Sequence, residues 1–308
     1  MNVAFVINNR NKGAHVYKAV QGALSQTYPC EIIISDQGST DNSLAEIERA
    51  IAECPRGAKH EVRVLHCPIT GPVGMEMGNA HFQWAWQQTS PEVEFIYQCS
   101  ADDVSLPLRV QLCEAARLIN PADAVATTMF FVKPEQLDDI LSNKEMQLMV
   151  SGFPTTTGYV NAGECLQHLG YGSVIAGYSR KFLESVDHGG KNTIDVLYGY
   201  LAALKGGFYV VNQPSHLHVE HAGADNMGFG GKLRAVVDAQ ERMRLNELNQ
   251  AQLFRLYRSC LAYAQKEFPN GIPQEHLVPL LNMMIGQSIG WLVEREKLSE
   301  ADVTPGKL

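Results

Sequence analysis

The chain has 308 residues, of which 45% are hydrophobic and 19% are charged, as in an ordinary globular protein. Its formal net charge of -8 argues against broad, nonspecific binding to nucleic acid or to an anionic membrane. The seven cysteines are odd in number and never form a Cys-x-x-Cys pair. This pattern argues against a disulfide framework or a zinc ribbon and favours a reducing, cytoplasmic location.

Strands and helices alternate through the first half of the chain. Apolar runs predict strands, and segments with helical periodicity or helix-capping residues predict the helices between them. The N-terminus enters the first strand directly, without a basic leader or a cleavage site. The predicted strands are 3–7, 31–35, 61–66 and 93–98, and the predicted helices are 15–26, 39–53, 75–88 and 107–118. This alternation is typical of an α/β domain with a mostly parallel sheet and helices on both faces.

The second half is less regular. It contains strand patterns at 124–132, 173–178 and 207–212, and a helix pattern at 193–205. Gly228-Phe-Gly-Gly231 is a plausible linker, and the segment after it has helical periodicity without strand signals. We therefore predict an α/β domain over residues 1–227 and a helical C-terminal extension over residues 228–308. The longest apolar stretch, 277–293, is interrupted by polar residues and falls short of a bilayer span, so no transmembrane segment is predicted.

Two of the predicted strands end in acidic residues. One reads Glu31-Ile-Ile-Ile-Ser-Asp36-Gln-Gly38-Ser39-Thr-Asp41, and the other reads Phe95-Ile-Tyr-Gln-Cys-Ser100-Ala-Asp102-Asp103. Buried parallel strands deliver such polar groups to a nucleotide at their carboxyl ends. Carboxylates are also the ligands that hard divalent ions prefer. The pattern therefore predicts a crevice for a metal ion and a nucleotide, and so an enzyme.

These motifs, together with three others, resemble the family 2 glycosyltransferases, which have the GT-A fold. The matching segments occur in the order of the family: Val3–Asn11, Leu24–Pro29, Glu31–Asp41, Asn79–Ala85, and Ser100–Asp103 followed by Pro107 and Arg109. The resemblance covers residues 1 to about 222. It implies a nucleotide-sugar-binding half over 1–120 and an acceptor half over 121–227. It also implies inverting transfer from a nucleoside-diphosphate sugar, expected to be a UDP-sugar, to an acceptor hydroxyl.

The resemblance implies a set of residues that bind the donor. They are Asn8, Asn11, Asp36, Ser39, Asn79, Ser100 and Asp102. Asp36 would accept a hydrogen bond from a uracil N–H or from a ribose hydroxyl. The alternative is that Asp36 and Ser39 only cap the following helix. Gln37 stands where the family has a second aspartate.

The same resemblance implies that Asp102, Asp103 and His221 bind the metal. The ion, Mn²⁺ or Mg²⁺, would stabilise the charge of the diphosphate leaving group. Ser100 replaces a usual aspartate of the family. The alternatives are that the two aspartates cap the helix from residue 107, and that His221 lies half-exposed on an edge strand with His216 and His218.

The resemblance also implies that Asp195 is the catalytic base, the positioned group that takes the proton of the acceptor hydroxyl. Ile194 replaces the first acidic residue of the family motif, and Asp187 and Glu184 are weaker rivals. The alternative is that Asp195 is a first-turn aspartate favoured by the helix dipole. Arg180 could contact the diphosphate or the acceptor, or lie in a solvated loop.

The expected acceptor is a glycan, a lipid-linked sugar or another hydroxyl compound. The segment 232–258 is locally basic, which leaves open a hydroxylated base in DNA as the acceptor, although nucleic acid is not favoured. A third possibility is a non-catalytic nucleotide-sugar-binding relative. It is suggested by the absence of the family carboxylates at Gln37, Ser100 and Ile194.

Overall fold

The computed structural model describes residues 1–54, 59–70, 75–143, 157–167, 176–186, 194–221 and 257–285. The chain divides into two units, Met1–Glu220 and His221–Leu308, with a boundary seven residues before the predicted one at 227. Each unit is described by itself below. The basic segment 232–258 lies almost entirely outside the described residues.

Within these residues, the first unit contains a nine-stranded sheet. Its strands are β1 (Val3–Asn9), β2 (Glu31–Asp36), β3 (Glu61–His66), β4 (Phe95–Ser100), β5 (Val104–Ser105), β6 (Ala124–Val132), β7 (Gly158–Tyr159), β8 (Ala176–Ser179) and β9 (Phe208–Val219). The order is β3-β2-β1-β4-β8-β6-β9-β5, and β7 pairs with β9. β3, β2, β1 and β4 are parallel neighbours, and β8 runs antiparallel to β4 and β6.

The strand order creates a topological switch point between β1 and β4. The chain adds β2 and β3 on one side of β1 and then returns to place β4 on the other side. The connections after β1 and β4 therefore leave the sheet in opposite directions, which opens a crevice outside the carboxyl ends of these two strands.

Five helices of the first unit correspond to predicted helices, and three short ones, at 137–142, 162–167 and 180–185, were not predicted. The helices are α1 (Val16–Leu24), α2 (Ser43–Glu53), α3 (Met75–Gln87), α4 (Arg109–Ile119), α5 (Leu137–Ser142), α6 (Ala162–Gln167), α7 (Arg180–Ser185) and α8 (Ile194–Leu204). In α2 the buried residues Ser43, Ile47 and Ala50 recur at helical spacing, which gives the helix one face for the core. α1 approaches β5 closely, since a Cβ at Gly22 would lie 2.7 Å from the backbone oxygen of Ser105.

Buried strands explain where the core lies. β1 and β2 are buried along almost their full length, as expected of parallel strands covered on both faces. The largest cluster joins Phe5, Ile32 and Tyr97 to α1, α2 and α4. A second cluster joins Leu217 of β9 to residues of β5, β6 and α5.

β9 extends well beyond its predicted end at residue 212. The sequence places a strand end at Pro214, because proline lacks the N–H that a strand ladder requires. In the structure the strand continues to Val219, and its register with β6 shifts on both sides of Thr128, which pairs with Pro214. This irregularity accommodates the proline and brings His216 and His218 into the sheet.

The second unit contains two described helices, at 257–267 and 274–285. Tyr257, Cys260, Ala264 and Leu280 are buried. In the described part of the chain, no helix is long and apolar enough to cross a membrane. All seven cysteines lie in described segments, and none is in a disulfide.

Candidate active site

The carboxyl edge of the sheet brings several predicted donor-binding residues together. Asn8, near the end of β1, is in register with Ser35 of β2 on one side and with Ser100 of β4 on the other. Asn9 is in register with Asp36. These side chains therefore line the switch point, where open α/β sheets bind their ligands.

Asp36 is buried and organises the turn that follows β2. Its Oδ1 accepts hydrogen bonds from Asn9 Nδ2 at 2.7 Å and from Ser39 Oγ at 2.5 Å, and its Oδ2 accepts one from the Ser39 backbone N–H at 3.0 Å. The N-cap of α2 is Asn42, so the capping alternative for Asp36 and Ser39 does not describe the structure. A carboxylate offers about four lone-pair sites, so these three bonds leave room for a donor from a ligand.

The loop after β1 is joined to the loop after β2 by three consecutive hydrogen bonds. The backbone N–H groups of residues 11–13 donate to Ser39 Oγ, Ser43 Oγ and Asp41 Oδ2 at 2.8, 3.0 and 2.9 Å. Asn11 has a φ of +50°, a left-handed conformation that asparagine tolerates better than most residues. The two loops therefore form one ordered rim of the crevice.

Asp102 pairs with a lysine that the sequence analysis missed. Lys12 Nζ lies 2.8 Å from Asp102 Oδ2, and the two side chains are only 12% and 14% exposed. The pair joins the loop after β1 to the loop after β4, across the mouth of the crevice. The position of Lys12 directly after Asn11 in the polar turn is the signal that could have found it.

Asn8 presents an unsatisfied group at this edge. Its Oδ1 atom is buried and has no hydrogen-bond partner among the residues that the structure describes. Buried polar atoms without a partner are rare because they lose the hydrogen bonds that water would give them. A donor group or a cation of a ligand would satisfy this oxygen.

Asp103 points away from the mouth and is fully buried. Its Oδ1 accepts hydrogen bonds from His218 Nδ1 at 3.0 Å and from the Val219 backbone N–H at 3.1 Å. Its Oδ2 accepts one from His216 Nε2 at 3.3 Å. His216 Nδ1 in turn accepts from Arg109 Nη1 at 3.2 Å. The expectation of half-exposed histidines is wrong for His216, which is completely buried, and His218 is 14% exposed.

The contacts among Asp103, His216 and His218 shift the pKa values of all three side chains. Burial alone would raise the pKa of Asp103, but the hydrogen bonds from the two histidines outweigh it and hold that pKa well below its usual value. Burial lowers the pKa of His216 to about 4, so His216 is neutral at pH 7, donates from Nε2 and accepts at Nδ1. Burial also opposes protonation of His218, yet the hydrogen bond and charge of Asp103 raise its pKa. These contacts give Asp103 a structural role, and its metal role stays a prediction.

The remaining predicted site residues lie on α3, on α8 or in the second unit. Asn79 is on α3 and Asp195 is in the first turn of α8, and both side chains lie outside the described residues. His221 is the first residue of the second unit. The assignments of Asn79, Asp195 and His221 therefore stay predictions.

Arg180 lies at the end of the sheet opposite the crevice, next to the residues that precede β4. Its Nε donates to the Val93 carbonyl at 2.6 Å, and its Nη2 donates to Thr89 Oγ1 at 2.7 Å and to the Ser90 carbonyl at 2.8 Å. These groups precede β4, whereas the crevice lies beyond its carboxyl end. The expectation that Arg180 contacts the diphosphate or the acceptor is therefore wrong.

The accessible ligands at the mouth suit a hard ion that arrives with a substrate. Within the described part of the chain, no group of three histidine, cysteine or carboxylate side chains is arranged to hold a metal ion by itself. Asp102, Ser100 and Asn8 offer oxygen atoms, which Mg²⁺ and Mn²⁺ prefer. Mg²⁺ is commonly held by one or two carboxylates together with substrate phosphates and water. The residues present fit that mode of binding.

Comparison with known proteins agrees with this architecture. The family model described as glycosyl transferase family 2 matches residues 4–184. S. aureus TarS 1-349 in complex with UDP-GlcNAc is similar in structure, with a TM-score of 0.54 and 14% identity over 97% of this chain and 83% of that chain. The mannosyltransferase PcManGT from Pyrobaculum calidifontis, in complex with GDP-Man and Mn²⁺, has a TM-score of 0.56 and 14% identity over 99% of this chain and 76% of that chain. No curated protein matches.

The family match covers more than half of the chain and includes β1, β2 and the acidic turn after β4. The structural neighbours share its mostly parallel sheet flanked by helices, the GT-A fold. The chain belongs to glycosyl transferase family 2 and is a sugar transferase.

Proposed function

We propose that the chain transfers one sugar from a nucleoside-diphosphate sugar to an acceptor hydroxyl, with inversion at the anomeric carbon and UDP as the expected nucleotide. The observation that carries the proposal is the group of oxygens at the switch point. Ser100 is in register with Asn8, whose Oδ1 is buried without a partner among the described residues, and Asp102 follows two residues after Ser100. The similar structures hold UDP-GlcNAc or GDP-Man.

In this proposal the ordered rim holds the nucleoside. Asp36 accepts a hydrogen bond from a base N–H or from a ribose hydroxyl. It uses lone pairs that are not engaged by Asn9 or Ser39. Asn11 and Asn79 complete the donor-binding set. The rim is held by the protein's own hydrogen bonds, so the nucleoside binds to groups that are already in position.

Asp102 would hold a divalent ion, Mn²⁺ or Mg²⁺, with help from Ser100. When bound, the ion neutralises charge on the diphosphate as it leaves the sugar. Asp103 supports this arrangement from behind, because its bonds to β9 fix the turn that carries Asp102. His221 remains the predicted histidine ligand.

Asp195 would take the proton of the acceptor hydroxyl. α8 packs on β6 and β9 and ends at Leu204. Gly206, which has a positive φ, then reverses the chain direction before β9 begins at Phe208. The first turn of α8, roughly 15 Å away along the helix axis, therefore lies toward the carboxyl edge of these strands. That placement supports a base on the same side of the sheet as the donor crevice.

The acceptor is proposed to be a glycan, a lipid-linked sugar or another hydroxyl compound. The first experiment is a thermal-shift panel of UDP, GDP, dTDP, ADP and CDP, each with Mn²⁺, Mg²⁺ or EDTA. A ligand that binds only the folded state raises the melting temperature by mass action. We expect a metal-dependent rise with one nucleotide, followed by release of that nucleotide from its sugar conjugate.

Two results would redirect the proposal. A rise with a nucleotide that is independent of metal, without turnover, would favour the non-catalytic relative. Salt-dependent binding of duplex DNA would favour a hydroxylated base as the acceptor, because phosphate contacts release counterions. No rise with any nucleotide would contradict the donor site proposed here.

A further inference from the structure

Lys12 occupies the place in the crevice where a cation is expected. Its ammonium lies 2.8 Å from Asp102 Oδ2, and this carboxylate is the proposed protein ligand of the divalent ion. The backbone N–H of Lys12 is fixed at the same time, because it donates to Ser43 Oγ at 3.0 Å. The side chain thus extends from an anchored backbone across the mouth of the crevice.

An ammonium on Asp102 Oδ2 repels a divalent ion that approaches the same carboxylate. Both side chains are more than four-fifths buried, so water screens their charges only in part. Binding of an ion at Asp102 therefore favours movement of the Lys12 ammonium toward another anion. In the free protein this competition weakens metal binding.

We propose that Lys12 is a donor-binding residue that covers Asp102 in the free protein and moves to the donor's diphosphate when the donor enters, which leaves Asp102 to the ion. This inference rests on the proposed function. A lysine side chain can swing over several ångströms about a fixed backbone, and a diphosphate is the anion that the reaction brings to this edge. Lys12 and the ion then neutralise different oxygens of the same leaving group.

A mobile Lys12 differs from a purely structural ion pair in its effect on ligand affinity. A structural pair would stabilise the fold and leave ligand affinities unchanged when it is removed. A mobile cover predicts two opposite effects of losing the ammonium: Mn²⁺ binds the free protein more tightly, and UDP binds more weakly without metal. Such a reciprocal change has no explanation in loss of stability alone.

The test compares wild-type protein with Lys12→Met, which keeps most of the apolar stem and removes the charge. Lys18→Met is the matched control, because Lys18 pairs with Asp138 on the exterior at 2.5 Å. Isothermal titration calorimetry measures Mn²⁺ alone, and then UDP, GDP and uridine in EDTA. We expect Lys12→Met to tighten Mn²⁺ binding about tenfold and to weaken metal-free UDP or GDP binding about tenfold, as for one charge-assisted contact.

Uridine affinity should be equal in all three proteins, because uridine carries no phosphate. Unchanged Mn²⁺ affinity in Lys12→Met would overturn the cover, and unchanged nucleotide affinity would overturn the diphosphate contact. Wild-type protein that binds neither UDP nor GDP under any condition would overturn the proposed function and the diphosphate contact together. The Mn²⁺ titration would still decide whether Lys12 covers Asp102.

Discussion

Asp103 accepts a hydrogen bond from the backbone N–H of Val219, 116 residues further along the chain. This bond ties the acidic turn after β4 to the last residue of β9. Since adjacent residues Asp102 and Asp103 differ in direction, fixing one carboxylate in the core fixes the other at the mouth. The structural aspartate thereby determines where the proposed ligand of the ion lies.

Replacing Asp103 should destabilise the protein. Asp103→Asn removes a buried negative charge that faces Arg109 through His216, and also faces His218. Breaking a buried charge pair typically costs about 3–5 kcal/mol of unfolding free energy. Urea denaturation would measure the loss. Asp138→Asn, at an exposed position on α5, is the control, and equal stability of Asp103→Asn and wild type would contradict the structural role.

Replacing Asp102 should remove activity while the fold is kept. Asp102→Asn retains the size of the side chain but loses the charge proposed to hold the ion, so we expect turnover to fall by at least about 100-fold. The assay follows nucleotide release from the preferred donor, with circular dichroism as a check on folding. Asp138→Asn again serves as the matched control. Wild-type turnover in Asp102→Asn would show that the ion is held elsewhere.

The stability of the protein should fall as the pH drops below 6.5. Burial lowers the pKa of His81, whose ring contacts Ser35 Oγ at 2.7 Å, from 6.5 to about 4. The unfolded chain therefore takes up a proton between pH 6.5 and 4 that the folded protein does not, which favours unfolding. At pH 5 this difference amounts to about 2 kcal/mol. His216 contributes in the same direction.

His81→Gln isolates one of these two contributions. The variant cannot take up the proton but can still hydrogen-bond to Ser35. We expect the loss of unfolding free energy between pH 7 and pH 5 to be smaller than in wild type by about 2 kcal/mol. Urea denaturation at the two pH values gives the comparison. Equal losses in both proteins would show that His81 is not protected from protonation.

Arg180 should matter for stability and not for donor binding. Arg180→Met removes hydrogen bonds to Val93, Thr89 and Ser90 at the edge opposite the crevice. We expect a loss of about 2–3 kcal/mol of unfolding free energy with unchanged UDP affinity. Lys181→Met changes the exposed neighbouring residue and should alter neither quantity. A drop in UDP affinity at unchanged stability would instead show that Arg180 takes part in donor binding.

Much of the first sheet could be predicted because its signals are local. The apolar runs of β1 to β4 end in polar residues, and their predicted bounds differ from the observed ones by no more than two residues. The short strand β5 was not predicted, since two residues carry no periodicity. β9 was predicted too short, because the register shift that accommodates Pro214 depends on its neighbour β6.

The sequence predicted which residues lie near the site, but not where their side chains point or which of them pair. Sequence spacing placed Asp36, Ser100 and Asp102 at one edge. It could not show that Asp103 turns inward, because that direction is decided by His216 and His218 more than 110 positions away. The lysine on Asp102 was missed for the same reason, since the pairing of Lys12 with Asp102 exists only after β1 and β4 become neighbours.

The three hydrogen bonds that join the loops after β1 and β2 have a thermodynamic consequence. Because residues 11–13 are already held by Ser39, Ser43 and Asp41, a nucleoside that docks there has little loop motion to suppress. Recognition of the nucleoside should therefore carry a small conformational-entropy penalty. The protein has met that penalty during folding, when the two loops close on each other before any donor is present.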